Sequence, residues 1–516
     1  MIQIKGFKSL MALAATALMV SCGDSLSSYI PPALHPHQPE EVGPGDDNFN
    51  HLDEGVEIHK DGEPYNTYKG LIMCGYQGWF GTPGDGSVMT SKEGENCYYH
   101  YREDNMFKPG VLRNSIDFWP DVSEYEKTYT PGEGDGTDRS AHFVKPDGTY
   151  AKVYSPYDES SVMLHFKWMQ EYGIDGVFMQ RFLGEVLNNV PHKEHFDKVL
   201  DNAMKGSDTY QRAISVMYDL SGASEEMLNG MVQDAQELMT KYNLKDRSVH
   251  KFYLYENGKP LLALWGVGFA DRTYDKLLPD IIAQLRAQGW SIMLGCPAYW
   301  REGGNDCKTG TDLAQFQEMV KSADVIMPWY VGRYDYNSFS QWHSRIAADI
   351  KWCKDNKVGY AVHCYPGGSD RNMHPNNGID QESNQTGFRY GGQFYWDQMY
   401  YDIKAGAQSL YIGMFDEIDE GTAIFKQLNV KDVPSNTPEE GVQDYWVNFF
   451  TDGHYSKSGE KMEGNTVRWS RLASDLDVKF QGIDDNLPTD HYLWLTGYAG
   501  KMLRGQVEMV EKMPTR

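Results

Sequence analysis

The chain has 516 residues, enough for one large core or two to three ordinary ones, so a barrel of roughly 250 to 400 residues with insertions fits inside it. Its 48 Lys plus Arg against 73 Asp plus Glu leave a formal net charge of −25, which repels phosphate backbones and argues against nucleic acid as a partner. Aromatic residues make up 13%, with 34 Tyr and 13 Trp, and their flat faces and polar edges suit sugar rings and large cores alike.

The N-terminus reads as a targeting segment. Lys5 and Lys8 precede the apolar run Leu10 to Val20, which is followed by Ser21 and Cys22. A charged start and a short apolar run too brief to span a bilayer comfortably describe a signal peptide. The small residue directly before Cys22 resembles a bacterial lipobox, implying cleavage there and lipid attachment at Cys22; an ordinary secretory signal is the alternative. The expected divisions are a lipoprotein signal peptide over 1–22, a flexible tether over 23–69, a catalytic domain over 70–505 and a C-terminal tail over 506–516. The tether is rich in Pro, Gly, Asp, His and Asn and shows almost no hydrophobic period. Cys74, Cys97, Cys296, Cys307, Cys353 and Cys364 remain after Cys22 without a Cys-x-x-Cys spacing, so no zinc site and no redox pair is expected. Cys74, Cys296 and Cys364 sit in apolar runs and read as buried small hydrophobes.

Past the tether, short apolar, β-branched or aromatic runs alternate with helical patterns. The runs are 70–75, 176–179, 213–218, 260–265, 291–295, 323–327, 359–363 and 409–415. Helical spacing is clearest over Asp158–Tyr172, through Val162, Phe166 and Met169, and recurs over Ser224–Tyr242 and Tyr274–Gln288. Strand and helix repeated eight times predict an α/β fold, a single (β/α)8 TIM barrel. Such barrels carry their chemistry at the carboxyl ends of the strands. Those ends carry Tyr76-Gln77 with Trp79, Gln180-Arg181, Tyr218-Asp219, Trp265, Tyr299-Trp300-Arg301, Trp329-Tyr330 with Arg333, His363 with Tyr365, and Asp416-Glu417, from which Tyr76, Trp79, Arg181, Asp219, Trp265, Trp300, Arg301, Trp329, Arg333, His363, Tyr365, Asp416 and Glu417 are the candidates. Rings and guanidinium groups replace the usual Gly, Asn, Ser and Asp of exit loops, which suits a carbohydrate pocket.

The segment Met414 to Thr422 reads Met-Phe-Asp-Glu-Ile-Asp-Glu-Gly-Thr. Glycosidic cleavage needs one carboxylic acid and one carboxylate whose pKa values are pushed apart, and proximity raises one of them. Glu417 and Glu420 lie on one side if a helical turn begins there and on opposite faces if the chain stays extended. The same acids admit a divalent-cation site, though without the regular spacing of a calcium loop, or an acidic helix start. His165 reads as a buried helix residue on the Val162, Phe166, Met169 stripe. Asp219 is a third carboxylate or a helix cap, and Arg181, Arg301, Arg333 and Arg389 are substrate forks or structural ion pairs.

Glu-x-x-Glu-Gly-Thr after an apolar strand is similar to the Glu-Trp-His-Glu-Gly-Thr motif of glycoside hydrolase family 99, the endo-α-mannosidases, and the chain resembles the wider 71/99-like group of exported bacterial proteins. Supporting segments are Gly75-Tyr-Gln-Gly-Trp-Phe80, His165 to Gly176, Tyr365-Pro-Gly-Gly368 and Gly391 to Gln398, within a likeness over residues 69 to 505. The resemblance implies a retaining glycosidase on an α-linked glycan. Glu417 would be the base on the sugar 2-hydroxyl, which closes a 1,2-anhydro ring, and Glu420 the acid and later the base for water. It implies no cofactor and no metal, an oligo- or polysaccharide as substrate, other glycan-utilisation proteins as partners, and an outer-membrane or surface location through the lipid anchor alone. Ile418 and Asp419 stand where the mannosidases carry Trp and His, and Ala423 to Lys426 departs downstream. A catalytically inactive, glycan-binding surface lipoprotein on the same barrel is therefore the alternative.

Overall fold

All eight apolar runs form strands, and the alternation closes on itself. In chain order the strands are β1 (Ile72–Tyr76), β2 (Gly176–Phe182), β3 (Ala213–Asp219), β4 (Tyr255–Glu256), β5 (Lys259–Trp265), β6 (Ser291–Pro297), β7 (Val325–Trp329), β8 (Gly359–Tyr360), β9 (Val362–Cys364) and β10 (Leu410–Ile412). They order as β8-β7-β6-β5-β3-β2-β1-β10-β9, with every pairing parallel except that of the short arm β4 with β5. β8 and β9 are one run interrupted at Ala361, whose N–H donates to Ile326 O at 2.9 Å; β8 pairs with β7 and β9 with β10, so the ring is shut. The TIM barrel expected from the sequence is the fold. This computed structural model describes residues 55–89, 98–102, 107–111, 113–132, 142–373, 389–437, 446–450, 455–457, 467–472 and 479–516; the signal segment, Cys22 and Cys97 lie outside them.

The helices are α1 (Glu159–Tyr172), α2 (Leu183–Asn188), α3 (Val190–Tyr210), α4 (Glu225–Lys241), α5 (Leu278–Gln288), α6 (Gly310–Ser322), α7 (Phe339–Asn356), α8 (Gln393–Lys404) and α9 (His491–Leu503). The stripe on α1 buries Val162, His165, Phe166 and Met169, and Gly173 ends the helix at φ 78° with its N–H on Met169 O. Ser224 caps α4 by accepting from Met227 N. The β4–β5 hairpin turns on Asn257 and Gly258, both at positive φ (51° and 74°), as a two-residue turn of this handedness requires.

Strand alternation sorts side chains into two cores. Met73, Phe178, Met217, Ala263, Met293, Met327, Ala361 and Tyr411 fill the barrel interior. Their neighbours Cys74, Val177, Val216, Leu262, Ile292, Ile326, Val362 and Leu410 face the helices. At about 25 cal/mol per Å2 of apolar surface removed from water, these two layers supply the main drive to fold. Cys74, Cys296, Cys307, Cys353 and Cys364 are buried free thiols.

Three segments dress the barrel. Residues 55–69 lie against its amino-terminal face, where Tyr65 and Tyr68 are buried and Thr67 donates to Glu256 Oε2 at 2.7 Å. The C-terminal residues lie on α8, with Trp396 Nε1 donating to Glu511 O at 3.0 Å. A separate antiparallel sheet comprises β11 (Trp446–Phe450), β12 (Tyr455–Lys457) and β13 (Val467–Leu472). The described parts of the connection between β1 and α1 bring Gln77, His100 and Asp117 to the segment after β10, at the carboxyl ends of the strands.

Candidate active site

After β10 the chain crosses to β1, with Phe415 N donating to Gly75 O at 2.8 Å. Gly75 faces the interior, and a Cβ built on it lies 2.2 Å from Met414 Cε and 2.4 Å from the Tyr411 hydroxyl. Only a residue without a side chain admits so close an approach. The segment then closes into a loop, not a helix: Thr422 N and Ala423 N both reach Glu417 O at 3.1 Å, and Met414 N reaches Thr422 O at 3.2 Å. Residues 418–421 form its turn, and Gly421 takes φ 66°. Neither the helical turn nor the extended strand open to the spacing forms: Glu417 and Glu420 sit on a tight turn closed onto Glu417 O.

Each acid has its own surroundings. Asp416 is fully buried and accepts from Gln77 N at 2.8 Å and Gly78 N at 2.9 Å, so it clamps β1 to the loop. Burial pushes its carboxyl up to about 7 despite those donors. Glu417 is 4% exposed; Gln77 Nε2 donates to its Oε1 and Thr422 Oγ1 to its Oε2. Burial, then the charges of Glu420 and Asp419, hold its carboxyl well above the ordinary range. Asp419 pairs with His100 Nδ1 at 2.8 Å, and the His100 ring stacks on Trp79 at 3.6 Å and 5°. Glu420 is partly exposed, and its carbonyl accepts from Ser369 N at 2.8 Å.

Two groups hold the loop from behind. Asp117 N and Phe118 N donate to Ile418 O at 3.1 and 3.3 Å, while the Asp117 carboxylate accepts from Ser369 Oγ and from Arg371 N and Asn372 N at 2.7 Å each. Arg389 Nη2 donates to Gly421 O and Ala423 O, each at 2.7 Å. Ile418 is wholly buried.

The remaining candidates divide by the parity of their strand positions. Asp219, Trp265, Trp329 and His363 share the interior parity and surround the barrel mouth; Trp265 meets Trp329 edge-on at 5.4 Å, and Trp329 stacks on His363 at 4.6 Å. Asp219 accepts from Ser221 N at 2.7 Å, and burial raises its pKa. Tyr76 and Arg181 have the opposite parity. The Tyr76 hydroxyl meets His165 Nδ1 at 2.8 Å, and Arg181 grips Asp234 through two bonds of 2.6 Å in the helix layer. Trp300 and Arg301 both bond Asp349 of α7, Arg333 pairs with Asp306 at 2.8 Å, and the Tyr365 hydroxyl donates to Tyr334 O at 2.6 Å. The bonds described for these six go to partners other than Glu417. Gln77, Gln180, Thr422, Asp117 and His100 are brought to the mouth or the loop behind it; the sequence places Gln77 and Gln180 at strand ends and Thr422 in the acidic segment without marking them as site residues, and gives no signal for Asp117 or His100. Parity alone identifies Gln180 in place of Arg181, and Gln77 in place of Tyr76.

Among the described residues no group of three or more His, Cys, Asp or Glu has the arrangement to hold a metal ion. What the mouth offers is a buried carboxyl with a raised pKa beside a more exposed one, walled by rings and amides.

No family model and no curated protein matches the chain. Among solved structures it is similar to the GH99 endo-alpha-mannosidase from Bacteroides thetaiotaomicron in complex with BIS-TRIS-Propane, with a TM-score of 0.51 and 15% identity over 85% of this chain and 98% of that one. A second structure of the GH99 endo-alpha-mannosidase from the same organism aligns with a TM-score of 0.49 and 14% identity over 85% and 99%. The expected likeness to the family 99 group holds at the level of the fold.

Proposed function

We propose that the chain is a glycoside hydrolase acting on an α-linked glycan, with Glu417 and Glu420 as its working carboxylates. The observation that carries this reading is their placement on one turn at the carboxyl end of the barrel, Glu417 buried with a raised pKa and Glu420 partly exposed. In the route implied by the family resemblance, the Glu417 carboxylate takes the proton of the sugar 2-hydroxyl, whose oxygen forms a bond to C1. The C1 bond to the leaving oxygen breaks, and that oxygen receives the Glu420 proton. Water then adds to C1 and opens the anhydro ring, its proton passing to Glu420 while Glu417 returns a proton to the 2-oxygen. Two inversions at C1 leave its configuration retained.

The Glu420 charge raises Glu417, so the two titrate together and their apparent pKa values belong to the pair. In the resting protein burial favours the proton on Glu417, whereas base action needs Glu417 ionised. The 2-hydroxyl of a bound sugar, donating to that carboxylate, favours the ionised form and shifts the proton toward Glu420.

A glycan-binding protein without turnover is the second reading, favoured by the engagement of both Glu417 oxygens by Gln77 and Thr422. Release of reducing ends from α-mannan, α-glucan and host-type glycans separates the two. Turnover of one of them supports the hydrolase, and retention of an intact ligand supports the binder. The proposed setting is the cell surface, with Cys22 lipidated. Mass spectrometry of the mature N-terminus tests it: a lipid-modified peptide beginning at Cys22 is expected, and an unmodified start elsewhere contradicts it.

A further inference from the structure

The barrel mouth holds buried polar atoms without a partner among the described residues. They are Gln77 Oε1, Gln180 Oε1, Trp265 Nε1 and His363 Nε2, on residues no more than 8% exposed. One hydrogen bond, the charge of Glu417 on Tyr411 and a run of ring contacts relate the four to Glu417. Gln77 donates to Glu417, whose charge is felt by the Tyr411 hydroxyl. Gln180 Nε2 reaches that hydroxyl at 3.4 Å, and the His363 ring lies 5.4 Å from the Tyr411 ring. Trp329 then links His363 to Trp265.

The proton positions follow from the bonds. Tyr330 N–H donates to His363 Nδ1 at 2.8 Å, so Nδ1 is an acceptor. Burial lowers the imidazole pKa to about 3, so the ring is neutral and its one proton is on Nε2. Nε2 lies beside Gly413 at the end of the neighbouring strand, where a Cβ built on the glycine is 2.4 Å from it, so the missing side chain leaves that nitrogen uncovered. The wall therefore presents two N–H donors, from His363 and Trp265, and two amide oxygens. Beside Glu417 it carries no formal charge. A buried donor or acceptor left unpaired is costly, and a ligand that supplies the missing partners gains what the protein lacks.

Resting on the glycan reading above, we infer that Gln77, Gln180, Trp265 and His363 form a hydroxyl-reading wall next to Glu417 that selects an uncharged sugar ring. Sugar hydroxyls both donate and accept, which matches a wall of mixed donors and acceptors. A carboxylated or sulfated ring meets neutral groups and the negative charge of the acidic loop, and is rejected.

Calorimetric titration of the full chain carrying Glu420→Gln tests this, with α-mannotriose, maltotriose and the anionic trigalacturonate as probes. At least one neutral probe binds and trigalacturonate does not; equal binding of trigalacturonate overturns the selection. In that background Gln180→Met, Trp265→Phe and His363→Asn each lower affinity for the neutral probe by about 5- to 100-fold. Asn keeps an acceptor for Tyr330 N–H, and Met is close to Gln in shape, so Gln180→Met leaves Tm unchanged or raises it while affinity falls. Affinity within twofold of the parent in any two variants overturns the wall. Binding of a neutral probe with no cleavage of any glycan by the unmodified chain sinks the hydrolase reading alone. Cleavage of a glycan by the unmodified chain, with no probe bound by the parent variant, sinks this inference alone.

Discussion

Thr422→Val removes the hydroxyl that donates to Glu417 Oε2 and changes little else. Thr422 is wholly buried, Val matches its volume, and the Thr422 N–H keeps its 3.1 Å bond to Glu417 O. A hydrogen bond to a charged group contributes about 1.5–3 kcal/mol and one to a neutral group about 0.5–1.5, so the ionised form of Glu417 loses about 1–1.5 kcal/mol more than the protonated form. With about 1.4 kcal/mol to a pKa unit, the acid limb of kcat/KM moves up by about one pH unit. Below that limb the rate falls about tenfold, and on the plateau it is nearly unchanged. The assay is reducing-end release from the best substrate across pH. An acid limb that stays in place or moves down refutes the argument that Thr422 supports an ionised Glu417.

Three further perturbations probe the same loop. Glu417 titrates well above the unfolded value of 4.5, so between those pKa values the folded chain holds a proton that the unfolded chain has lost. Stability then falls as pH rises through that window. Glu417→Gln is neutral throughout, and calorimetry should show a Tm advantage over the parent that appears above pH 4.5, grows with pH and levels off above the native pKa; a constant or shrinking gap contradicts the burial argument. Asp117→Ala strips the acceptor from Ser369 Oγ, Arg371 N and Asn372 N, a loss of about 1–3 kcal/mol for each buried donor. Denaturant unfolding should show severe destabilisation, and Asp117→Asn a milder one. Gly75→Ala forces a methyl against Met414 and Tyr411, costing about 1–3 kcal/mol and displacing the loop, read as a drop in kcat.

The barrel was legible because its strands are short apolar runs with helices between them, and hydrophobic period survives in sequence. The Glu-x-x-Glu-Gly-Thr segment was legible as an acidic cluster at a strand end, but its turn was not, since it is set by Gly421 at positive φ and by bonds from Asp117 and Ser369. Residue type misdirected the choice of mouth residues. Arg181 and Tyr76 looked the more chemical members of their pairs, yet alternation turns them to the helices and turns Gln180 and Gln77 to the mouth. Asp117 and His100 come from the long β1–α1 connection, which has no periodic pattern, and only the folded chain puts them beside Ile418 and Asp419.

The central claim is that Glu417 and Glu420 together cleave a glycosidic bond. Reducing-end release by Glu417→Gln and Glu420→Gln, each shown to be folded by its thermal transition, tests it most directly. The account predicts that both lose turnover of the glycan the unmodified chain cleaves; near-parental turnover in either folded variant contradicts it.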